Sequence, residues 1–230
     1  MRFSIIIPIL NEEKNILPLV KLIKSNIKKV LYEVIFVDDN SKDKSKFILK
    51  KIKGNNISYI IRKKKRDLTQ SCIDGIKKSR YENIVIMDGD LQHHPECLEK
   101  MIKFYIEKNS SFLIGTRKFS KNEGLSFLRR LSSLSLIFLI NLMLKKKTKD
   151  PMSGFFILKK KIFYKVKKKL YGKGFKILFD ILYNLESSIK IQDYKIKFRK
   201  RNFEHSKMNF IVLYHIIIMI FIKFLKRERN

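Results

Sequence analysis

Three places along the chain pair side chains that could hold a cation. Asn11-Glu12 follows one apolar run, Asp38-Asp39 ends a second, and Asp88-Gly89-Asp90 ends a third. With only 21 acidic residues against 52 basic ones, the placement of the acids is informative. In Asp88-Gly89-Asp90 the glycine permits a tight turn. Both carboxylates then converge on one hard divalent cation, which keeps waters and takes phosphate oxygens as its remaining ligands. A lone Asp-Gly-Asp is more often a plain turn. Three acidic clusters at successive run ends resist that reading, because like charges held together destabilise a fold unless a cation or nucleotide uses them.

The elements that must carry these acids are legible as short β-branched runs alternating with helical patterns. Phe3 to Ile9, Glu33 to Val37, Ile57 to Ile61, Asn83 to Met87 and Phe112 to Ile114 read as strands. Near-alternation from Ile189 to Phe198 adds a later strand with one solvated face. Ile16, Leu19, Val20, Ile23 and Ile27 fall at helical spacing, with Pro18 tolerable only in a first turn. Residues 41–53, 68–80 and 95–108 are the next helix candidates. This rhythm predicts an α/β fold, a mostly parallel sheet flanked by helices. In such sheets ligands bind at the carboxyl ends of the strands, where the acids lie.

Composition sets the remaining bounds. The 230 residues make one ordinary domain, and 45% apolar residues with 18 Phe and 9 Tyr exclude disorder as the main state. Cys72 and Cys97 have neither zinc-site spacing nor disulfide density and suit a reducing compartment. The N-terminal apolar run is too short for a signal peptide, so a cytoplasmic location is expected. The formal charge is +31. Much of it matches what an AT-rich genome would write, since alanine and tryptophan are absent while Lys, Ile, Asn and Phe abound. A basic surface attracts phosphates and anionic head groups whatever its origin. Lys63-Lys64-Lys65 and Lys167-Lys168-Lys169 are most simply solvated runs. No RNA- or DNA-binding motif accompanies the charge, so no nucleic-acid partner is expected.

Two later stretches are apolar and flanked by basic residues. Leu134 to Leu144 covers about 16 Å as a helix, half a bilayer core, and Phe210 to Ile222 about 20 Å. Both suit helices lying in a membrane interface, although a buried core helix fits the first equally well and a tilted span remains open for the second. The expected organisation is a catalytic domain over 1–207, including an interfacial helix at about 125–147, then an amphipathic membrane-associated helix over 208–230.

Six ordered motifs carry a family resemblance: Ile7-Pro8-Ile9-Leu10-Asn11-Glu12, Val37-Asp38-Asp39-Asn40-Ser41, Met87 to Glu96, Gly115-Thr116-Arg117, Asp150 to Phe155 and Gly174 to Leu178. From about Phe3 to Lys207 the sequence resembles family 2 glycosyltransferases of the dolichol-phosphate mannosyltransferase type, which make polyprenyl-phosphate sugars. The resemblance implies the GT-A fold. It implies that Pro8, Asn11 and Glu12 line a nucleotide pocket, with Asp39 on the nucleoside and Asp38 supporting it. Asp88, Asp90 and Gln92 would hold Mg²⁺ or Mn²⁺ against the diphosphate. Asp90, Arg117 and Arg130 would act on the reacting groups, and Arg117, Arg130 and Ser133 would receive the acceptor phosphate. Arg201, Ser206 and Lys207 match a closing motif that reaches back to the phosphates. Glu204-His205 stand where the family has Gly-Glu, and Asp67 replaces a usual glycine.

The implied reaction is inverting transfer of a hexose from GDP-mannose or a UDP-sugar to a polyprenyl phosphate on the cytoplasmic face of a membrane. Many members continue into a transmembrane domain, so attachment here is expected through the interfacial helices or an integral-membrane partner subunit. A phosphate monoester is already ionised near pH 7 and needs positioning rather than a base. The alternative, a saccharide hydroxyl acceptor, would need a general base, and Asp150 is the candidate. A reading of another class is a basic RNA- or membrane-binding protein with a decayed site, which intact acids at 88 and 90 disfavour. Imidazole ligation by His93 or His94 is less expected than a loop role, since hard Mg²⁺ prefers oxygen. Asp180 reads as a capped or paired surface acid.

Overall fold

The computed structural model describes residues 1–92, 95–117, 138, 140–142, 144, 148–196 and 218. Its elements are β1 (Arg2–Ile9), α1 (Glu13–Asn26), β2 (Leu31–Asp38), α2 (Ser45–Lys51), β3 (Ile57–Ile61), α3 (Leu68–Lys78), β4 (Asn83–Ile86), α4 (Pro95–Glu107) and β5 (Phe112–Arg117). After these come β6 (Phe156–Lys159), α5 (Lys160–Val166), a 3₁₀ turn (Lys167–Lys169), α6 (Ile177–Tyr183) and β7 (Ile191–Ile196). The strands form a seven-stranded sheet in the order β3-β2-β1-β4-β6-β5-β7. All neighbouring pairs are parallel except those of β6, which runs antiparallel to β4 and β5. The expected mostly parallel sheet flanked by helices is what forms.

β6 was not anticipated from the sequence. Its four residues, Phe-Ile-Leu-Lys, are too few to show a period and merge with the preceding Met152-Ser153-Gly154-Phe155 turn. Its insertion separates β4 from β5, so a cationic group on β5 stands across one intervening strand from the acids of β4.

The sheet divides the core by strand parity, as a period of two requires. Phe3, Ile5, Ile7, Val34, Phe36, Val85 and Met87 point to the face covered by α1 and α4. Ile6, Ile35, Val37, Ile84 and Ile86 point to the face covered by α3, α5 and α6. Being buried on both faces explains why β1 reads as an unbroken apolar run. One side chain interrupts it: buried Ser4 donates to Glu33 Oε1 at 2.6 Å, and Glu33 in turn receives the backbone N–H of Arg80 at 2.6 Å. This ties the turn before β4 to β1 and β2.

Two expectations need correction. Pro18 lies in the second turn of α1, not the first, and the helix runs through it. Its ring removes one helical hydrogen bond, and burial of Ile16, Leu19 and Ile23 against the sheet holds the helix regardless. Asp180 is buried rather than at the surface, and accepts the backbone N–H groups of Tyr171 at 3.1 Å and Gly172 at 2.9 Å.

Among the described residues no helix is long and apolar enough to cross a membrane. Most of 125–147 and nearly all of 208–230 lie outside them. Ile140, Asn141 and Leu142 are helical, and this stretch has two characters. Ile140 and Leu144 are buried in the core, whereas Phe138 and Leu142, one helical turn apart, are each 69% exposed.

α3 approaches the sheet closely because Gly75 faces β1. A Cβ there would overlap Ile6 Cγ2 and lie 3.2 Å from Val37 Cγ2, both fixed in the core. Alanine normally favours a helix over glycine by about 1 kcal/mol. Overpacking a rigid core costs about 1–3 kcal/mol, so the clash wins. Gly75→Ala is therefore expected to lower stability, read as a reduced urea midpoint at unchanged m-value; a raised midpoint would show that α3 can lift off.

Candidate active site

Strand order reverses between β1 and β4: β2 and β3 extend to one side of β1, and the chain then returns to add β4 on the other. That reversal opens a crevice at the carboxyl ends of the strands. All three acidic clusters surround it, because they follow β1, β2 and β4 directly. Each leaves its strand through a left-handed residue: Asn11 at φ 54°, Asn40 at φ 62° and Leu91 at φ 61°. Asparagine tolerates this conformation. Leucine does not, so the turn after Asp88-Gly89-Asp90 stores about 1–2 kcal/mol of backbone strain.

The residues expected to line a nucleotide pocket interlock with one another. Asn11 donates its N–H to Ser41 Oγ at 2.8 Å and receives Lys42 N–H on Oδ1 at 2.8 Å. Glu12 N–H donates to Ser45 Oγ at 3.0 Å, and its Oε2 accepts from Asn15 at 2.6 Å. Pro8 lies within β1, paired with Val37. Buried Asp38 accepts Ser41 N–H at 3.1 Å, which shapes the turn beyond Asp39 and gives it a supporting role. Asp39 is 5% exposed; Oδ1 pairs with Arg62 Nη1, and Oδ2 accepts Asp67 N–H at 2.7 Å. Burial pushes the Asp39 carboxyl up, while Arg62 and the Asp67 N–H pull it down. Arg62 also donates to Asp74 at 3.1 Å. The sequence motifs left Arg62 without a role; its place one residue after β3, opposite Asp38-Asp39, was the available signal.

Asp88 and Asp90 stand at the rim of β4, and Asp90 Oδ1 accepts Gln92 N–H at 3.1 Å. The backbone of Gly154 lies against Asp88: a Cβ on that glycine would sit 2.6 Å from Cγ and 2.7 Å from Oδ1 of the carboxylate. Only glycine leaves the Asp88 carboxylate where it is. Among the described residues no group of three or more His, Cys, Asp or Glu could hold a metal ion alone. A pair of carboxylates with an amide oxygen from Gln92 is an all-oxygen set that fits Mg²⁺ or Mn²⁺, with diphosphate oxygens completing the shell. His93 and His94 lie outside the described residues.

Across β6 from β4 stands an ion pair. Arg117, the last residue of β5, makes a bidentate ion pair with Asp150, Nε to Oδ2 at 2.7 Å and Nη2 to Oδ1 at 3.0 Å. Asp150 is fully buried and the Arg117 side chain is 27% exposed, so the guanidinium reaches the surface of the crevice over a closed base. Asp193 on β7 secures the 148–149 turn, accepting from Thr148 Oγ1 at 2.6 Å and Lys149 N–H at 2.9 Å. Lys176, which lies in the Gly174 to Leu178 motif but is given no role of its own there, belongs to the same group. Its Nζ donates to Met152 O at 3.3 Å. Loss of water and the Arg117 cation pull its ammonium below the usual lysine value, and the Asp88 and Asp150 carboxylates push it back. Arg130, Ser133, Arg201, Ser206 and Lys207 lie outside the described residues.

Comparison with known proteins agrees with this geometry. The glycosyl transferase family 2 pattern matches residues 4–167. A dolichol-phosphate mannosyltransferase from Pyrococcus furiosus is 36% identical over 187 residues, covering 79% of this chain and 52% of its own. Those of Mycosarcoma maydis and Saccharomyces cerevisiae are each 31% identical, covering 78% and 80% of this chain and 64% and 71% of their own. The chain thus spans between 52% and 71% of the length of these curated relatives. Among solved structures, glucosyl-3-phosphoglycerate synthase from Mycobacterium tuberculosis with Mn²⁺ and UDP-glucose superposes at TM-score 0.69 and 15% identity, covering 98% of this chain and 79% of that one. Mannosyl-3-phosphoglycerate synthase from Rubrobacter xylanophilus gives 0.67 at 12%, covering 100% and 74%. These likenesses establish the fold as GT-A. A crevice at the strand reversal, a carboxylate pair at its rim and a match across most of the domain lead to one assignment: the chain belongs to glycosyl transferase family 2.

Proposed function

We propose that this chain transfers a hexose from a nucleotide sugar to a polyprenyl phosphate at a membrane surface, with inversion at the anomeric carbon. The observation that carries this reading is that the Arg117–Asp150 pair and the Asp88 carboxylate share one site around Lys176. This sets a two-pronged cation against a metal-ready carboxylate. Arginine's planar fork suits phosphate oxygens, and here Asp150 presets its orientation. The names of the curated relatives, dolichol-phosphate mannosyltransferase, support the acceptor class and point to GDP-mannose as donor. Solved neighbours with Mn²⁺ and UDP-glucose, or with Mg²⁺ and UDP, support a divalent cation.

The residues divide the work. The interlocked loops of Asn11, Glu12, Asp38 and Asp39 with Arg62 receive the nucleoside. Asp88 and Asp90, with Gln92, hold the cation, which when bound neutralises charge developing on the leaving diphosphate. Arg117 orients the acceptor phosphate for attack on the anomeric carbon. Both Asp150 oxygens are engaged by Arg117, which disfavours it as a base for a saccharide hydroxyl. An ionised acceptor phosphate needs no such base. The exposed Phe138 and Leu142, on a chain of charge +31, supply apolar contact and electrostatic attraction for an anionic bilayer.

Membranes containing the protein are expected to move radiolabelled mannose from GDP-mannose into organic-extractable lipid, and EDTA should abolish this. Asp88→Asn or Asp90→Asn should lower the rate by about 100-fold or more; an unchanged rate would remove both from the metal site. Arg117→Lys keeps the charge and loses the fork, so the acceptor KM should rise about tenfold with nucleotide binding unaltered; equal loss of both would displace Arg117 from the acceptor side. The double substitution Phe138→Ser, Leu142→Ser should reduce co-sedimentation with anionic vesicles, and undiminished pelleting would assign attachment to other residues.

A further inference from the structure

Lys176 is a cation whose surroundings are not balanced by its own hydrogen bond. Its ammonium donates to the Met152 carbonyl at 3.3 Å, in the short segment between Asp150 and Gly154, and lies in the electrostatic reach of Arg117, Asp88 and Asp150. Asp150 already spends both oxygens on Arg117. Once a divalent cation occupies Asp88, that carboxylate too is committed, and Lys176 and Arg117 face each other as like charges.

The backbone delivers Lys176 rigidly. Asp180 accepts the N–H groups of Tyr171 and Gly172 from one side. From the other side Asp67 Oδ2 accepts Gly174 N–H at 2.8 Å, Thr69 N–H donates to Gly174 O at 2.9 Å, and Gln70 donates to Gly172 O. Gly172 at φ 70° and Gly174 at φ 93° let the loop bend between these clamps.

The reaction itself supplies a role for this cation. An incoming phosphate and a departing diphosphate are both anions, and their approach is repulsive unless a cation stands between them. Lys176 Nζ is held at Met152 O, midway along the segment from Asp150, the partner of Arg117, to Gly154, which lies against Asp88. We propose that Lys176 is a phosphate-binding residue of the reaction, its ammonium donating to a phosphate oxygen at the junction of the donor and acceptor sites. This rests on the transferase reading above. It assigns a role to a residue outside the acidic and arginine motifs, and Asp67, through Gly174, positions the loop that carries it. The phosphate is either the donor's β-phosphate or the acceptor's.

Two measurements on the full chain test this. In the lipid-transfer assay, Lys176→Met should lower kcat/KM by about 10- to 100-fold at unchanged melting temperature, and Lys176→Arg should recover most of the loss. A higher KM for GDP-mannose assigns the donor phosphate, a higher KM for farnesyl phosphate the acceptor, and a rise in both a bridging position. Activity within twofold of wild type, or equal losses in both variants at unchanged KM, would overturn the proposal. Should Lys176→Met fail to fold, lysine acetylation of the wild-type protein, read by peptide mass spectrometry, decides. Lys176 should be protected at least fivefold by GDP-mannose with Mg²⁺, by farnesyl phosphate, or by both, and equal labelling in all conditions would refute the assignment. This footprint needs no turnover, so protection without transfer would sink the reaction while leaving the phosphate site standing.

Discussion

Carboxylates crowded at one edge of a sheet repel each other, and their pairing with cations from distant parts of the chain organises this site. Asp39 is matched by Arg62 from beyond β3, Asp150 by Arg117 from the end of β5, and Asp88 lies within reach of Lys176 from the approach to α6. Removing one member of a buried pair leaves a charge that water cannot reach, a penalty of about 3–5 kcal/mol. The pairs therefore hold the loops around the crevice as firmly as the apolar core holds the strands beneath them. They also leave charge for a ligand to use, since Arg117 stays partly exposed over buried Asp150.

Close backbone approach is the second requirement. Gly75 lets α3 settle on β1, and this brings Asp67, the cap of α3, to Asp39 on one side and Gly174 on the other. Gly154 lets the chain before β6 pass against the Asp88 carboxylate. In both places the absence of a side chain sets the position of a charged group elsewhere. Asp67 stands where the family has a glycine, and its side chain caps α3 through Gln70 N–H at 2.9 Å while gripping the 170–176 loop. Asp67 thereby links Asp39 to the loop that carries Lys176.

The apolar segment around residue 140 divides into buried and exposed side chains. Ile140 and Leu144 complete the core, and Phe138 and Leu142 face outward. Its composition alone suited a buried helix and an interfacial one equally.

Strand positions, the parallel sheet and the acids at the strand ends were legible in the amino-acid order, because apolar period and turn chemistry are local properties. The motifs likewise singled out Asp88, Asp90 and Arg117. Local pattern could not reveal β6, whose four residues show no period and which becomes a strand only by pairing between β4 and β5. Nor could it show that Asp180 is buried, that Asp150 is consumed by Arg117, or that Lys176 joins them. Those outcomes depend on charges separated by tens of residues, such as 117 and 150 or 39 and 62, meeting at one sheet edge. Electrostatic energy falls with distance in space and is indifferent to distance along the chain, so only the tertiary structure could decide which opposite charges became partners.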